Sequence, residues 1–507
     1  MNIKRAKEEI KNTVLAYLDK DEYGEYRIPD LRQRPILLMG PPGVGKTQIM
    51  QQIASECRIG LVSYTITHHT RQSAVGLPFI KEKNYGGTGC SVTEYTMSEI
   101  ISSIYEYMEK TGRREGILFI DEINCVSETL APTILQLLQC KTFGNQKVPA
   151  GWIIVTAGNP PEYNKSVRDF DFVTLDRVRR MNIEADLPVF REYARGRHLH
   201  PFILSYLELR PANFYRTEND VDGLHFVTAR GWEDLSHLIR SYEDLHIPVD
   251  EDVIRQYLQH EDVAKDVAAY YDLYRTYRDD YDISSILQGK ARPGIYQRLM
   301  QASFDERLSC VELLVSGLHE LASLYTEQDR LTDGCYLFLK EYHEKTEQDE
   351  RPDRIWRQML DRKEKDLLTE EKTGLLSAKD KRLALKENDL LRRWSPDPSA
   401  GPEEAFDRVR TCFEDLCRKR SASLETCGNA LKYAFRFMEE AFADGQEMVV
   451  FVTELTMDPD LSSFIAQNGC PDYYKYQKTL LIGSRRAELL NQLDRDRIYG
   501  NAMAYDF

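Results

Sequence analysis

No stretch of this 507-residue chain approaches the roughly 20 consecutive apolar residues that a membrane-spanning helix needs. The opening segment, Met1 to Pro29, mixes charges along an amphipathic pattern and lacks the apolar core and small-residue cleavage site of a secretory signal. A cytoplasmic location is the expectation that follows. The ten cysteines are scattered without a CxxC pair. Cys412, Cys417 and Cys427 come nearest to a cluster, but no histidine stands beside them at a zinc-ligand spacing, so buried free thiols are expected. No basic domain or stripe stands out: 67 Lys and Arg face 82 Asp and Glu, a net charge of -15. Nucleic acid is therefore not an expected partner, although an acidic total leaves room for a local basic pore. No repeat of 20–50 residues recurs along the chain.

What the chain does contain falls into parts. At this length more than one domain is expected. Four apolar runs, "PILLMG", "IGLVSYTI", "GILFIDE" and "GWIIVTAGN", alternate with amphipathic helices. Runs of this kind read as fully buried parallel strands with helical crossovers, so residues 1–183 form an α/β domain behind a lead-in helix. "GLPFIKEKNYGGTGCSVTEY", residues 76–95, interrupts the alternation and reads as an inserted hairpin whose glycines allow a tight reversal. From residue 184 the strands stop, and 184–275 reads as a small all-α domain. Residues 276–394 continue as a charged helical region, with an exposed, ion-paired helical hairpin over 341–393. "SPDPSAGPEE", residues 395–404, reads as a linker. Residues 405–507 form a last, mostly helical module with one strand candidate, "MVVFVTEL", and a tyrosine-rich end.

The chemistry begins at "GPPGVGKT". Gly40, Pro41, Pro42, Gly43, Val44, Gly45, Lys46 and Thr47 fit G-x-x-x-x-G-K-[ST], and Gln48 follows in the next helix. Such a loop turns backbone N–H groups inward around a β-phosphate. Lys46 reaches phosphate oxygens, Thr47 offers its hydroxyl to Mg²⁺, and the helix presents its N-terminus to the anion. Downstream, "GILFIDEIN" ends a buried strand on Asp121, suited to Mg²⁺, and Glu122, suited to polarising an attacking water. "IIVTAGNPPEY" ends a further strand on Asn159, whose amide could hold that water or read the γ-phosphate; a turn-forming Asn before two prolines is the plainer account. His68-His69 and His198-x-His200 have no acidic or cysteine partner at metal spacing, which leaves them solvated or capping.

Taken together, "GPPGVGKT", "LFIDEIN", "TAGNPPEYN", "TLDRVRRMNIEAD" and "TARGWEDL" resemble the AAA+ ATPases, and more closely their MoxR-like, dynein-related branch, over residues 30–245. The resemblance implies an α/β P-loop NTPase core with a parallel sheet and a helix-2-insert hairpin, then an α-helical lid and a mostly helical C-terminal region. It implies ATP and Mg²⁺ as cofactors, with Thr47 and Asp121 at the metal. Asn159 becomes sensor 1 and Arg230 of "TARGWEDL" sensor 2. Arg177 of "LDRVRR" becomes an arginine finger offered to a neighbouring subunit, with Arg179 and Arg180 as close alternatives. A finger in trans implies a homo-oligomer, a hexameric ring in this family. The inserted hairpin, with Phe79 and Tyr85, becomes a loop that works on clients. Cys125 departs from the pattern, since a basic residue often follows "DEIN".

The resemblance also implies a chaperone-like remodeller, often partnered by a protein with a von Willebrand factor type A domain; this chain carries no D-x-S-x-S motif of such a domain itself. Two other classes stay open on sequence: a nucleotide-gated scaffold, and a nucleic-acid motor, which the acidic balance disfavours.

Overall fold

The structure, a computed structural model, describes residues 1–478 apart from 69–75, 86–87, 128, 144–145, 164–169, 171, 220–222, 347–350, 373–375, 398–400 and 444. The reversal glycines Gly86 and Gly87, His69, and the end of the tyrosine-rich tail lie outside the described residues.

The aliphatic runs become strands because both faces are covered. The strands are β1 (Ile36–Met39), β2 (Gly60–Thr65), an inserted pair β3 (Pro78–Tyr85) and β4 (Thr88–Tyr95), then β5 (Gly116–Asp121). Two short strands, β6 (Thr142–Phe143) and β7 (Gln146–Lys147), precede β8 (Trp152–Gly158) and β9 (Arg179–Asn182). A parallel sheet forms in the order β2-β5-β8-β1-β9. Helices Ile3–Leu18 and Lys46–Cys57 cover one face with Ile10, Met50 and Ile53; Glu99–Thr111 and Ala131–Cys140 cover the other with Ile104, Ile134 and Leu137. The sheet's fifth strand was not foreseen. Arg179, Arg180 and Asn182 give it no apolar run, because at the sheet edge only Met181 and the following Ile183 need to be buried.

One contact pins the register of three strands. Gly60 pairs with Gly116, and Gly116 with Trp152. The indole of Trp152 is buried over both glycines and meets Tyr107 edge-on at 5.9 Å. A Cβ on Gly116 would lie 2.8 Å from both that ring and the carbonyl oxygen of Gly60. Fixing these N-terminal ends fixes where the opposite ends deliver Asp121 and Gly158.

The inserted hairpin is present as read, with β3 and β4 antiparallel and Tyr85 opposite Thr88. Beyond the sheet the expectation of helices alone is corrected. Helices Leu187–Gly196, Pro201–Leu209, Ala229–Asp244, Glu251–Tyr257 and Glu261–Tyr281 enclose Phe202, Tyr206, Trp232 and Tyr274, but a two-stranded hairpin joins them: β10 (Arg216–Asn219) and β11 (Leu224–Val227). β10 is polar and mostly exposed, and β11, Leu-His-Phe-Val, is only four residues long, so no apolar alternation announced the pair.

Two long helices, Phe304–Thr346 and Pro402–Phe442, organise the remainder. One apolar cluster runs from Tyr281 to Tyr476, on both sides of the proline-rich segment, and residue 275 lies inside helix Glu261–Tyr281. The second of the long helices starts at Pro402, within the segment read as a linker, and carries Cys412, Cys417 and Cys427. Cys90 and Cys140 are exposed, against the expectation of buried thiols. Helices Pro352–Lys372 and Ala378–Arg393 form the charged hairpin, tied by Arg392–Glu364 and Lys363–Glu387 and seated on Trp356 and Leu391. "MVVFVTEL" is not a strand. It lies in helix Gln446–Met457, where Met448, Phe451, Val452 and Leu455 share one buried face at helical spacing. Packing there overrides the β preference of the valines.

A Gly116→Ala substitution is expected to cost about 1–3 kcal/mol by overpacking against Trp152, read as a lowered urea midpoint of the α/β domain. An unchanged midpoint would show that the glycine–tryptophan contact does not set the register.

Candidate active site

The loop that leaves β1 can close only because of its glycines. Gly43 and Gly45 have φ of +76° and +91°, the left-handed region that side chains disfavour. Gly40 has a different constraint: a Cβ there would lie 2.8 Å from Ile183, just beyond β9. The loop wraps around Lys46, whose ammonium donates to the Gly40 carbonyl at 2.7 Å, the Pro41 carbonyl at 2.9 Å and Asn159 Oδ1 at 2.8 Å. Burial drives the Lys46 pKa down to about 8; the charge of Asp121 opposes the shift and that of Arg230 adds to it.

The end of β5 meets this loop. Thr47 Oγ1 donates to Asp121 Oδ2 at 2.9 Å, while Asp121 Oδ1 accepts the N–H of Glu122 at 2.9 Å. Glu122 itself sits at φ +56°, an uncommon conformation for a non-glycine residue and one that turns it sharply out of the strand. Its Oε2 accepts a hydrogen bond of 2.8 Å from Thr67 Oγ1 in the turn after β2. Thr67 was not singled out by sequence; a threonine following an apolar strand carries no signal of its own. Asn124 Nδ2 donates to the Asn159 carbonyl at 2.7 Å, and a Cβ on Gly158 would meet the Asn124 amide at 2.5 Å, so β5 and β8 interlock at their exits. Asn159 is thus more than a turn former, since its amide oxygen holds the Lys46 ammonium. Where a basic residue was expected, Cys125 donates its backbone N–H to the Glu122 carbonyl at 2.9 Å. Burial and the neighbouring Glu122 and Asp121 charges push its thiol pKa up, which keeps a further negative charge out of the site.

The helical domain closes over the loop. Tyr215 donates to the Pro42 carbonyl at 2.9 Å, and a Cβ on Gly43 would lie 3.1 Å from Thr228, the N-cap of helix Ala229–Asp244. Arg230, in the first turn of that helix, lines a cavity of about 390 Å³ together with Lys46, Thr47, Asp121, Glu122 and Asn159. A second cavity of about 510 Å³ lies against Gly43–Gly45, Gln48 and Ile49. Phe190, Tyr193 and Phe214 of the helical domain and Met457 of the C-terminal region supply much of its apolar wall. Its size is that of a pocket for a small organic group.

Arg177 is not among the residues around Lys46. It is exposed at the end of helix Phe172–Arg177, beside Asp30, Lys141 and Asp176, and makes no side-chain hydrogen bond among the described residues. The two alternatives are engaged within the chain: Arg179 with Glu9 at 2.9 Å and with Thr13, and Arg180 with Asn182 at 2.9 Å.

The donor set suits a triphosphate with a hard divalent cation. An ammonium and left-handed backbone turns border one cavity, as an anion site requires, and the Thr47 hydroxyl and Asp121 carboxylate beside it are oxygen ligands of the kind Mg²⁺ takes. A protein-family match agrees. Residues 36–172 match the model of the ATPase family associated with various cellular activities (AAA). No curated protein matches the chain. Among solved structures, the chain is similar to a candidate ATPase from Cytophaga hutchinsonii at 17% identity and a TM-score of 0.21, over 38% of this chain and 56% of that one. The α/β core is an AAA ATPase domain.

Proposed function

We propose that this chain is a Mg²⁺-dependent ATPase of the MoxR-like branch of AAA+ proteins. It works as a hexameric ring and remodels or matures a partner protein, one with a von Willebrand factor type A domain. The observation that carries the hydrolytic part is the convergence of Lys46, Thr47, Asp121, Glu122 and Asn159 on one cavity that Arg230 also lines.

Lys46 and the loop N–H groups bind the β- and γ-phosphates, and Thr47 with Asp121 hold Mg²⁺, which when bound draws negative charge off the phosphate oxygens. Glu122, once released from Thr67, accepts a proton from the attacking water. Asn159 orients that water or the γ-phosphate beside Lys46. Arg230 brings the lid onto the nucleotide. The apolar cavity behind the loop takes the base, so the helical domain and the C-terminal region both respond to its presence.

The ring follows from Arg177. It is exposed and lies apart from its own chain's phosphate cavity, whereas Arg179 is held by Glu9. Arg177 reaches a neighbour's γ-phosphate, and hydrolysis depends on assembly. Phe79 and Ile80 are exposed on the inserted hairpin, as a client-handling loop requires.

Three outcomes check this reading. Near pH 8 a fraction of Lys46 is neutral. Phosphate charge raises its pKa, so ATP binding takes up protons, seen by calorimetry in buffers of different ionisation enthalpy and absent in Lys46→Met. Equal heats in all buffers would contradict the charge assignment. Replacing Asn159 by Ala is expected to slow turnover about 10²-fold with ATP affinity changed only a few-fold; full turnover would reduce Asn159 to a structural role. Arg177→Ala is expected to lose about 10³-fold in turnover. Mixing it with Glu122→Gln protein should restore part of the rate, because each subunit supplies what the other lacks. A fully active Arg177→Ala protein, or a mixture with no recovery, would overturn the shared site.

A further inference from the structure

His198 was read from sequence as solvated or capping for want of a partner. The fold corrects that by bringing partners from far along the chain. His198 follows helix Leu187–Gly196 of the lid; His319 lies on helix Phe304–Thr346 and Asp460 in the first turn of helix Pro459–Asn468, both in the C-terminal region. The two imidazole rings lie 4.1 Å apart, centroid to centroid. One ligand atom from each of His198, His319 and Asp460 lies within 4.8 Å of the others.

We propose that His198, His319 and Asp460 form a site for a divalent transition metal of the zinc class, which clamps the lid to the C-terminal helices. Two imidazoles and a carboxylate, with water in the fourth position, are a donor set that Zn²⁺ accepts and that the hard cation Mg²⁺ does not prefer.

The surroundings are built for such a role. Asp458, only 2% exposed, places Oδ2 at 2.7 Å from His319 Nδ1. Its other oxygen accepts the N–H groups of Asp460 and Leu461 at 3.0 and 2.9 Å. The Asp458–His319 contact is ionic, since His319 Nδ1 has no hydrogen-bond partner among the described residues, and it leaves Nε2 for a metal with a carboxylate on the ring's other nitrogen. His198 turns Nε2 toward Asp460 Oδ2 at 4.0 Å, a separation that a metal between them would bridge. Its backbone is fixed by a hydrogen bond from His198 N to the Arg195 carbonyl at 3.0 Å and by φ of +57°. Arg195 is in turn locked in the buried ion cluster with Glu312 and Glu454. Among the described residues Lys379 competes, its ammonium 3.2 Å from Asp460 Oδ2, and the metal would displace it.

The test uses the full chain stripped of metal by a chelator, with Zn²⁺ alone and Co²⁺ alone as probes and no nucleotide. Titration calorimetry is expected to show about one equivalent per chain, and bound Co²⁺ to give the intense visible bands of a four-coordinate ion. His198→Ala and His319→Ala should each abolish that binding, with circular dichroism confirming that they fold. Asp458→Asn should weaken it about 10- to 100-fold. Lys379→Met, which leaves all three ligands in place, should tighten it. Absence of a stoichiometric site in the wild-type chain would overturn the proposal. So would a bound metal that both histidine variants retain, or an affinity that Lys379→Met leaves unchanged.

Discussion

The buried ammonium of Lys46 is the constraint around which the α/β core is arranged. An unpaired charge taken out of water costs several kcal/mol, and here three oxygens offset that cost. Two of them, from Gly40 and Pro41, belong to the loop that the lysine closes; the third, from Asn159, belongs to the end of β8. The sheet must therefore bring the ends of β1 and β8 side by side. It does, because β1 lies between β8 and β9. Burial still holds the Lys46 pKa below the usual lysine value, so an anion bound beside it would add to the compensation.

From that point the structure extends outward through polar links. Thr47 ties the loop to Asp121, Thr67 holds Glu122, and Tyr215 and Thr228 bring the helical domain onto the loop. The helical domain is in turn joined to the C-terminal region through Arg191 and Arg195, which both pair with the buried Glu454, Arg195 pairing also with Glu312. Breaking one partner of such a cluster strands a buried charge, so its members move together. Met457 and Pro459 line the cavity behind the loop, so the C-terminal helices border the same space as Gly43–Gly45.

How much of this could be read from sequence depended on whether each feature was local. The loop glycines, Lys46 and the apolar runs of β1, β5 and β8 carry their own signal, as does the inserted hairpin. The strands β9 and β10 do not, because edge and surface strands need few apolar residues, and β11 is too short for its apolar residues to show a period. The helix at Gln446–Met457 misled through its valines, since helical and extended periodicities are hard to separate in a short apolar run. Thr67 and the partners of His198 were illegible for a different reason. Their meaning lies in contacts such as Thr67 to Glu122 and His198 to His319, made between distant positions, and no spacing in the chain encodes them.

The central claim is that the cavity at Lys46 hydrolyses ATP with Glu122 as the proton acceptor. The most direct measurement compares ATP affinity and steady-state phosphate release for the wild-type chain and Glu122→Gln under the same Mg²⁺ conditions. Matched affinity and a loss of about 10²-fold or more in rate are expected. Equal phosphate release by the two proteins would contradict it.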